Sequence, residues 1–381
     1  MARTKRSEVF AADEIAVVHV MNRVVRRCFL MGEDPVSGKN FDHRKRWIEA
    51  ELVRSAASFG IDLIAFSLLC NHMHMVLRSR PDVVETWTDA EVARRWLMLC
   101  PVRKDKSGHA AEPSECELNS IRLNPERLNE IRRRLSDISW WMRLLCQRIA
   151  QRANREDGVE GHFWQSRFRG VRLIDEQAIL AAAVYVDLNP IRAALAETIE
   201  ESDFTSAQRR IRSLSQEAKS PIGKISSTTP STSLVATRES PEGKGRSPKT
   251  PSETEPSRSD RCLAPVEIDE LRDSLGAMPS RSRDRCSDKG FTSMTSSEYV
   301  ELLDWTARQI VKGKRGATPA TAPSVLQRLG MEPTAWCELS KSFGILFSLV
   351  AGQPQHVDAF RSRLRRSRFY LPAATRELLT I

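Results

Sequence analysis

An α+β fold, a ferredoxin-like antiparallel sheet with helices on one face, is predicted by three observations. Short β-branched or apolar runs stand at residues 16–22, 61–69 and 72–79. Helical spacing of apolar residues recurs at 42–59 and 137–155. The order strand, helix, strand, strand, helix, strand, helix suits that architecture rather than a parallel α/β sheet.

The first run, AVVHVMN (16–22), reads as a strand. In 42–59 the residues Trp47, Ile48, Leu52, Val53 and Ala56 share one helical face, and Gly60 stands where a helix C-terminus favours glycine. IDLIAFSLL and HMHMVLRS are separated only by Cys70 and Asn71, the spacing of a hairpin or of one bent strand pair. Residues 81–135 are charged and interrupted by Pro101 and Pro113, and they read as a partly helical insertion on the surface. FWQSRFRGVRLI (163–174) reads as a strand, Asp175 as the cap of a helix over 176–188, and a further helix begins near Pro190.

After about residue 214 the chain becomes rich in Ser, Thr, Pro and Lys and poor in large apolar residues. Such a segment buries too little surface to offset its chain entropy, so 215–262 is expected to be a disordered linker between a domain at 1–214 and a helical basic region at 263–381. In that last region 265–275, 296–311, 323–330, 336–350 and 355–367 have helical spacing, with Trp305, Trp336, Phe343 and Phe347 as core candidates.

A formal net charge of +10 marks a polyanionic partner, of which nucleic acid is the commonest. The eight cysteines form no CxxC pair and the chain opens on MARTKRSEVF, without an apolar leader. Reduced thiols, a cytoplasmic location and no membrane span are therefore expected.

Three groups of residues could carry chemistry. His72 and His74 stand two apart on a strand, so both imidazoles project to one face, as two-histidine metal binding requires. Chance alone yields such a pair in roughly one chain in eight of this histidine content, and in isolation plain sheet histidines are the better reading. Tyr185 and Asn189 are one helical turn apart, a phenol with an amide oxygen beside it. Taken alone, Asn189-Pro190 as a helix start, with Tyr185 packed in the core, is the better reading. In GHFWQSRFRGVR (161–172) the aromatics Phe163, Trp164 and Phe168 interleave with Arg167, Arg169 and Arg172. Guanidinium forks suit phosphates and aromatic faces suit unpaired bases, although a strand with one core face and one solvated face has the same pattern.

Taken together, LLCNHMHMVL, GHFWQSRFRGVRLIDEQAIL and YVDLNPIRAAL, in that order, resemble the REP-associated and IS-type tyrosine transposases, members of the HUH single-tyrosine nucleases. AVVHVMNRVVRR is similar to that family's first strand, and the resemblance spans roughly residues 14–200. It implies that His72 and His74 are metal ligands, that Asn189 is a polar third ligand, and that Tyr185 is the nucleophile. It further implies Mg²⁺ or Mn²⁺ as cofactor, single-stranded or hairpin-bearing DNA as substrate, and a 5′-phosphotyrosine intermediate. Trp164, Arg167, Arg169 and Arg172 are then candidate DNA contacts, and the oligomeric state stays open between monomer and homodimer. Two departures stand out: Cys70 where relatives carry serine or proline, and the length of the 81–135 insertion. Cys70-x-His72-x-His74 leaves structural zinc as a minor alternative. KGKR (312–315) and RSRLRRSR (361–368) read equally as an accessory DNA-binding module or as solvated helix faces. The competing functions are a catalytically inactive DNA-binding regulator derived from a transposase, a zinc-stabilised RNA-binding protein, and a relaxase.

Overall fold

The structure is a computed structural model that describes residues 6–219, 259–269, 271, 276–310, 323–364 and 368–380. Its sheet has the order β2-β3-β1-β4-β5. The strands are β1 (Val17–Arg23), β2 (Ile61–Leu68), β3 (His72–Ser79), β4 (Arg169–Leu173) and β5 (Val350–Ala351). The first four pair antiparallel in the ferredoxin-like order, whereas β5 runs parallel to β4, so the sheet is mixed rather than wholly antiparallel. The hairpin expected over 61–79 forms, with a register shift between Leu63 and Ala65. Of the expected 163–174 strand only Arg169–Leu173 is extended in the sheet; upstream of it Trp164 forms an isolated bridge with Val24.

Helix α1 (His43–Ser58) and the long α6 (Ile138–Asp157) pack together, and Asn22 of β1 donates to Cys146 Sγ of α6 at 3.2 Å. Asp137 caps α6 by accepting from Ser139 N, and Gly158 ends it in the left-handed conformation with φ 63°. Between them lie α2 (Pro81–Glu85), α3 (Asp89–Leu99), α4 (Glu115–Arg122) and α5 (Pro125–Leu135). This insertion is more than a surface appendage: Val92, Leu99, Ile121, Ile131 and Leu135 are buried in the common core.

The opposite sheet face is also covered, which corrects the expectation of helices on one face. There α7 (Glu176–Asp187) lies against β2 and β3, and α12 (Pro333–Leu346) packs on α7. Asp175 caps α7 as its sequence position predicts, accepting from Ala178 N at 3.0 Å. A short α8 (Asn189–Arg192) follows at once, and α9 (Ser206–Lys219) lies against β2.

Helix α9 extends beyond residue 214, where the linker was expected to begin. Residues 220–258 of that linker lie outside the described residues, but Cys262 near its other end is buried, and Leu263 bridges to Leu63 on the sheet edge. The described part of 265–275 is not helical: Glu267 bridges to Thr292 instead. Further on come α10 (Ser296–Ile310), α11 (Ser324–Arg328), α12, α13 (Pro354–Leu364) and an unanticipated α14 (Ala373–Thr380). KGKR (312–315) lies outside the described residues, as do positions 365–367 of RSRLRRSR. No helix among the described residues is long and apolar enough to cross a membrane.

A buried ionic knot ties residues 277–290 to the sheet. Asp62 accepts from Arg78 Nε at 2.8 Å, from Arg80 Nη1 at 3.2 Å and from Ser287 Oγ at 2.7 Å. Arg78 Nη1 also donates to the Gly290 carbonyl at 2.8 Å. Burial alone would raise the Asp62 carboxyl, but the two guanidinium groups outweigh it and hold it below its ordinary value.

Candidate active site

The antiparallel register sets Met21 opposite His74 and Arg23 opposite His72, so His19, His72 and His74 all point to the α7 face. Helix α7 lays Tyr185 across them. The phenol ring centroid is 5.6 Å from that of His74 and 5.6 Å from that of His19, edge-on to both. His72 and His74 are 5.0 Å apart. The structure thus brings together the predicted tyrosine and the predicted histidine pair, from segments more than a hundred residues apart in the chain.

The hydrogen bonds engage Nδ1 of both imidazoles. His72 Nδ1 lies 2.6 Å from Asn71 Oδ1, and Asn71 Nδ2 donates to the Arg27 carbonyl at 3.1 Å, which fixes the amide so that its oxygen faces His72. His72 therefore carries its proton on Nδ1 and keeps the Nε2 lone pair. His74 Nδ1 lies 2.9 Å from His19 Nε2 with the rings stacked. When His74 donates in that bond its Nε2 is likewise a bare acceptor, and His19 is protonated on Nδ1, an atom buried without a partner. Burial pushes His72 down to about 4 and His19 down to about 3, and it drives His74 well below its ordinary value; the charges of Arg23 and Arg192 add to the effect on His72 and His74. Neutral imidazoles with free Nε2 lone pairs are the state a metal ligand needs.

Asn189 starts α8, is 5% exposed, and has its Nδ2 buried without a partner. Among the described residues no hydrogen bond joins it to either histidine. Nor do any three His, Cys, Asp or Glu side chains there form a group placed to hold a metal. Cys70 sits in the turn before β3, against Gly32, rather than on the strand face with the histidines.

The phenol is covered. Tyr185 is 8% exposed, with Phe343 of α12 5.7 Å from its ring and the same phenylalanine 5.6 Å from His19. A Cβ on Gly344 would come within 2.7 Å of the hydroxyl oxygen. On another side the Arg192 guanidinium stands 4.4 Å from the ring centroid.

The chain matches no family model and no curated protein. A solved structure of a REP-associated tyrosine transposase bound to a REP hairpin is similar to it at 11% identity, over 62% of this chain and 100% of that chain, with a TM-score of 0.32. That score is too low to decide fold or chemistry.

The predicted DNA contacts are dispersed. Trp164 and Arg167 line a cavity of about 640 Å³ with Trp140, Arg143 and Phe168, on the α6 side of the sheet and away from Tyr185. Trp164 Nε1 is committed to the Cys146 carbonyl at 2.8 Å. Arg169 is exposed on β4 opposite Met21, and its charge acts on His19. Arg172 is buried, paired with Glu14 at 2.7 Å and donating to the Ile15 carbonyl, so its expected role at phosphate is corrected to a structural one.

Sequence reasoning missed His19, Arg192 and the α12 cover. Arg192 had a signal: Tyr185, Asn189 and Arg192 fall at i, i+4 and i+7, one helical face. His19 is a single histidine in an apolar strand, and only the pairing of β1 with β3 assigns it to the site.

Proposed function

We propose that this chain is a single-tyrosine DNA-strand transferase, a transposase that cuts and rejoins single-stranded, hairpin-bearing DNA. The observation that carries the reading is the placement of the Tyr185 ring 5.6 Å from that of His74, with His72 beside it and both imidazoles neutral. The phenol oxygen attacks the scissile phosphorus, the bond to the 3′ oxygen breaks, and that oxygen leaves as a 3′-hydroxyl with the proton balance closed through solvent. The 5′ side stays on Tyr185 as a phosphodiester, so a later attack by a 3′-hydroxyl rejoins strands without an external energy source.

The donor set suits a divalent cation that accepts imidazole, Mn²⁺ more readily than Mg²⁺, held by His72 and His74 with Asn189 as third ligand. When bound, such a cation supplies polarisation of the phosphoryl oxygen. His19 orients His74 through the ring-to-ring hydrogen bond, and Asn71 orients His72. With Phe343 and Gly344 against the phenol, attack requires α12 to move off Tyr185.

That cover favours a second reading, a catalytically inactive DNA-binding regulator in which the tyrosine is a core residue. One experiment separates the two: incubation with hairpin-bearing single-stranded DNA and Mn²⁺ or Mg²⁺, followed by denaturing electrophoresis. The strand-transferase reading expects a denaturation-resistant adduct with the native chain and none with Tyr185→Phe or His72→Ala. No adduct from the native chain leaves the regulator.

A further inference from the structure

Several core arginines have anionic partners: Arg44 with Glu156, Arg78 and Arg80 with Asp62, Arg172 with Glu14, Arg209 with Glu49; Arg210 has carbonyl partners instead, those of Ile64 and Ala264. Arg192 has neither. Among the described residues it makes no ion pair and no side-chain hydrogen bond. Its Nε is buried without a partner, and its guanidinium lies over the Tyr185 ring. A buried guanidinium N–H without a partner is uncommon in folded proteins. Arg23 faces the same place from the end of β1, opposite His72. The charges of Arg23 and Arg192 both act on His72 and His74. The site is short of an anion.

We propose that Arg192, assisted by Arg23, grips the scissile phosphodiester and delivers it to Tyr185. This rests on the strand-transferase reading and adds a catalytic residue to it. A planar guanidinium offers two parallel donors to the non-bridging oxygens of one phosphate, which a lysine ammonium cannot reproduce. The same cation over the phenol ring stays within Coulomb reach of the charge that grows on phosphorus and on the attacking oxygen.

Two arms test it on the full-length chain. In the first, single-turnover adduct formation is followed with saturating hairpin-bearing DNA and Mn²⁺. Arg192→Gln is expected to slow it about 10²–10³-fold, the usual effect of removing one charge-stabilising donor, with Arg192→Lys recovering only part. Replacing the cleaved phosphate by an uncharged methylphosphonate should then slow the native chain far more than Arg192→Gln, because the variant has no grip left to lose. Equal losses on the two substrates, or native speed for the variant, would overturn the proposal. The second arm needs no catalysis: DNA affinity is measured against salt in the Tyr185→Phe background. Losing one phosphate contact on a single strand should lower the slope of log K against log salt by about 0.7 on adding Arg192→Gln. An unchanged slope overturns the assignment, whether or not the native chain forms an adduct; absence of a native adduct with a changed slope sinks the strand-transferase reading and leaves Arg192 a phosphate contact.

Discussion

The hydroxyl of Tyr185 abuts Gly344, so tightly that a Cβ at residue 344 would stand 2.7 Å from its oxygen. Side-chain carbons do not approach that closely, so one partner must yield. Gly344→Val is expected to destabilise the fold by about 1–3 kcal/mol through overpacking, outweighing what helix propensity returns near the end of α12. Urea unfolding checks it, and an unchanged or raised midpoint would mean α12 sits loosely on the phenol. The same variant should form the DNA adduct faster than the native chain, since it loosens the cover over the nucleophile.

The three clustered histidines predict acid sensitivity. Each has a folded-state pKa below its ordinary 6.5, His72 near 4 and His19 near 3, so the unfolded chain binds more protons in this range. Their contribution is fully present above about pH 6.5 and is lost as pH falls towards 4 and then 3. With a chelator present, the urea midpoint should drop between pH 7 and pH 5, before most carboxylates begin to titrate. His19→Asn should flatten that drop. A native midpoint that holds steady over the window would contradict the burial of these rings.

Asp187, two residues beyond the tyrosine, is held by Ser206 Oγ, by Ala207 N at 2.9 Å and by the Tyr299 hydroxyl at 2.8 Å. Burial pushes the Asp187 carboxyl above its ordinary value despite these donors. Tyr299→Phe removes one donor from a buried acceptor and should cost about 1–3 kcal/mol. Hydrogen exchange at the end of α7 should rise with it. Exchange confined to α10 would show that Tyr299 does not brace the tyrosine helix.

Asp62→Ala leaves Arg78 and Arg80 buried beside one another without their shared carboxylate. A loss of about 3–5 kcal/mol is expected. Asp62→Asn should lose less, because its amide oxygen can still accept. Equal midpoints for the two variants would mean that the charge of Asp62, not its capacity to accept hydrogen bonds, carries the knot.

The parts of this fold that were legible in the sequence are those decided locally. The 61–79 hairpin, the helix after Asp42 and the Asp175 cap each follow from a few neighbouring residues. The His72/Tyr185 pairing was visible only as ordered motifs, since nothing local in either segment points to the other. What stayed hidden depends on register or on distant chain. His19 joins the site because β1 pairs with β3 so that Met21 meets His74. Residues 265–275 carry apolar residues at helical spacing, but in the described part Leu263 bridges to Leu63 at the sheet edge and Glu267 to Thr292, so there tertiary pairing overrides propensity. Arg172 belongs to a basic run that suggests DNA, and only Glu14, far away in sequence, turns it inward.

Strand β5, two residues long, has a consequence out of proportion to its size. Arg172 N donates to the Leu349 carbonyl and Ile174 N to the Ala351 carbonyl, both at 2.9 Å. Without those partners β4 would be an outer strand with bare amides, a template for pairing with another molecule. A chain shortened before residue 349 should therefore be prone to sticking to its own kind. Poor behaviour of such a fragment would report a torn hem, not the loss of a DNA-handling part.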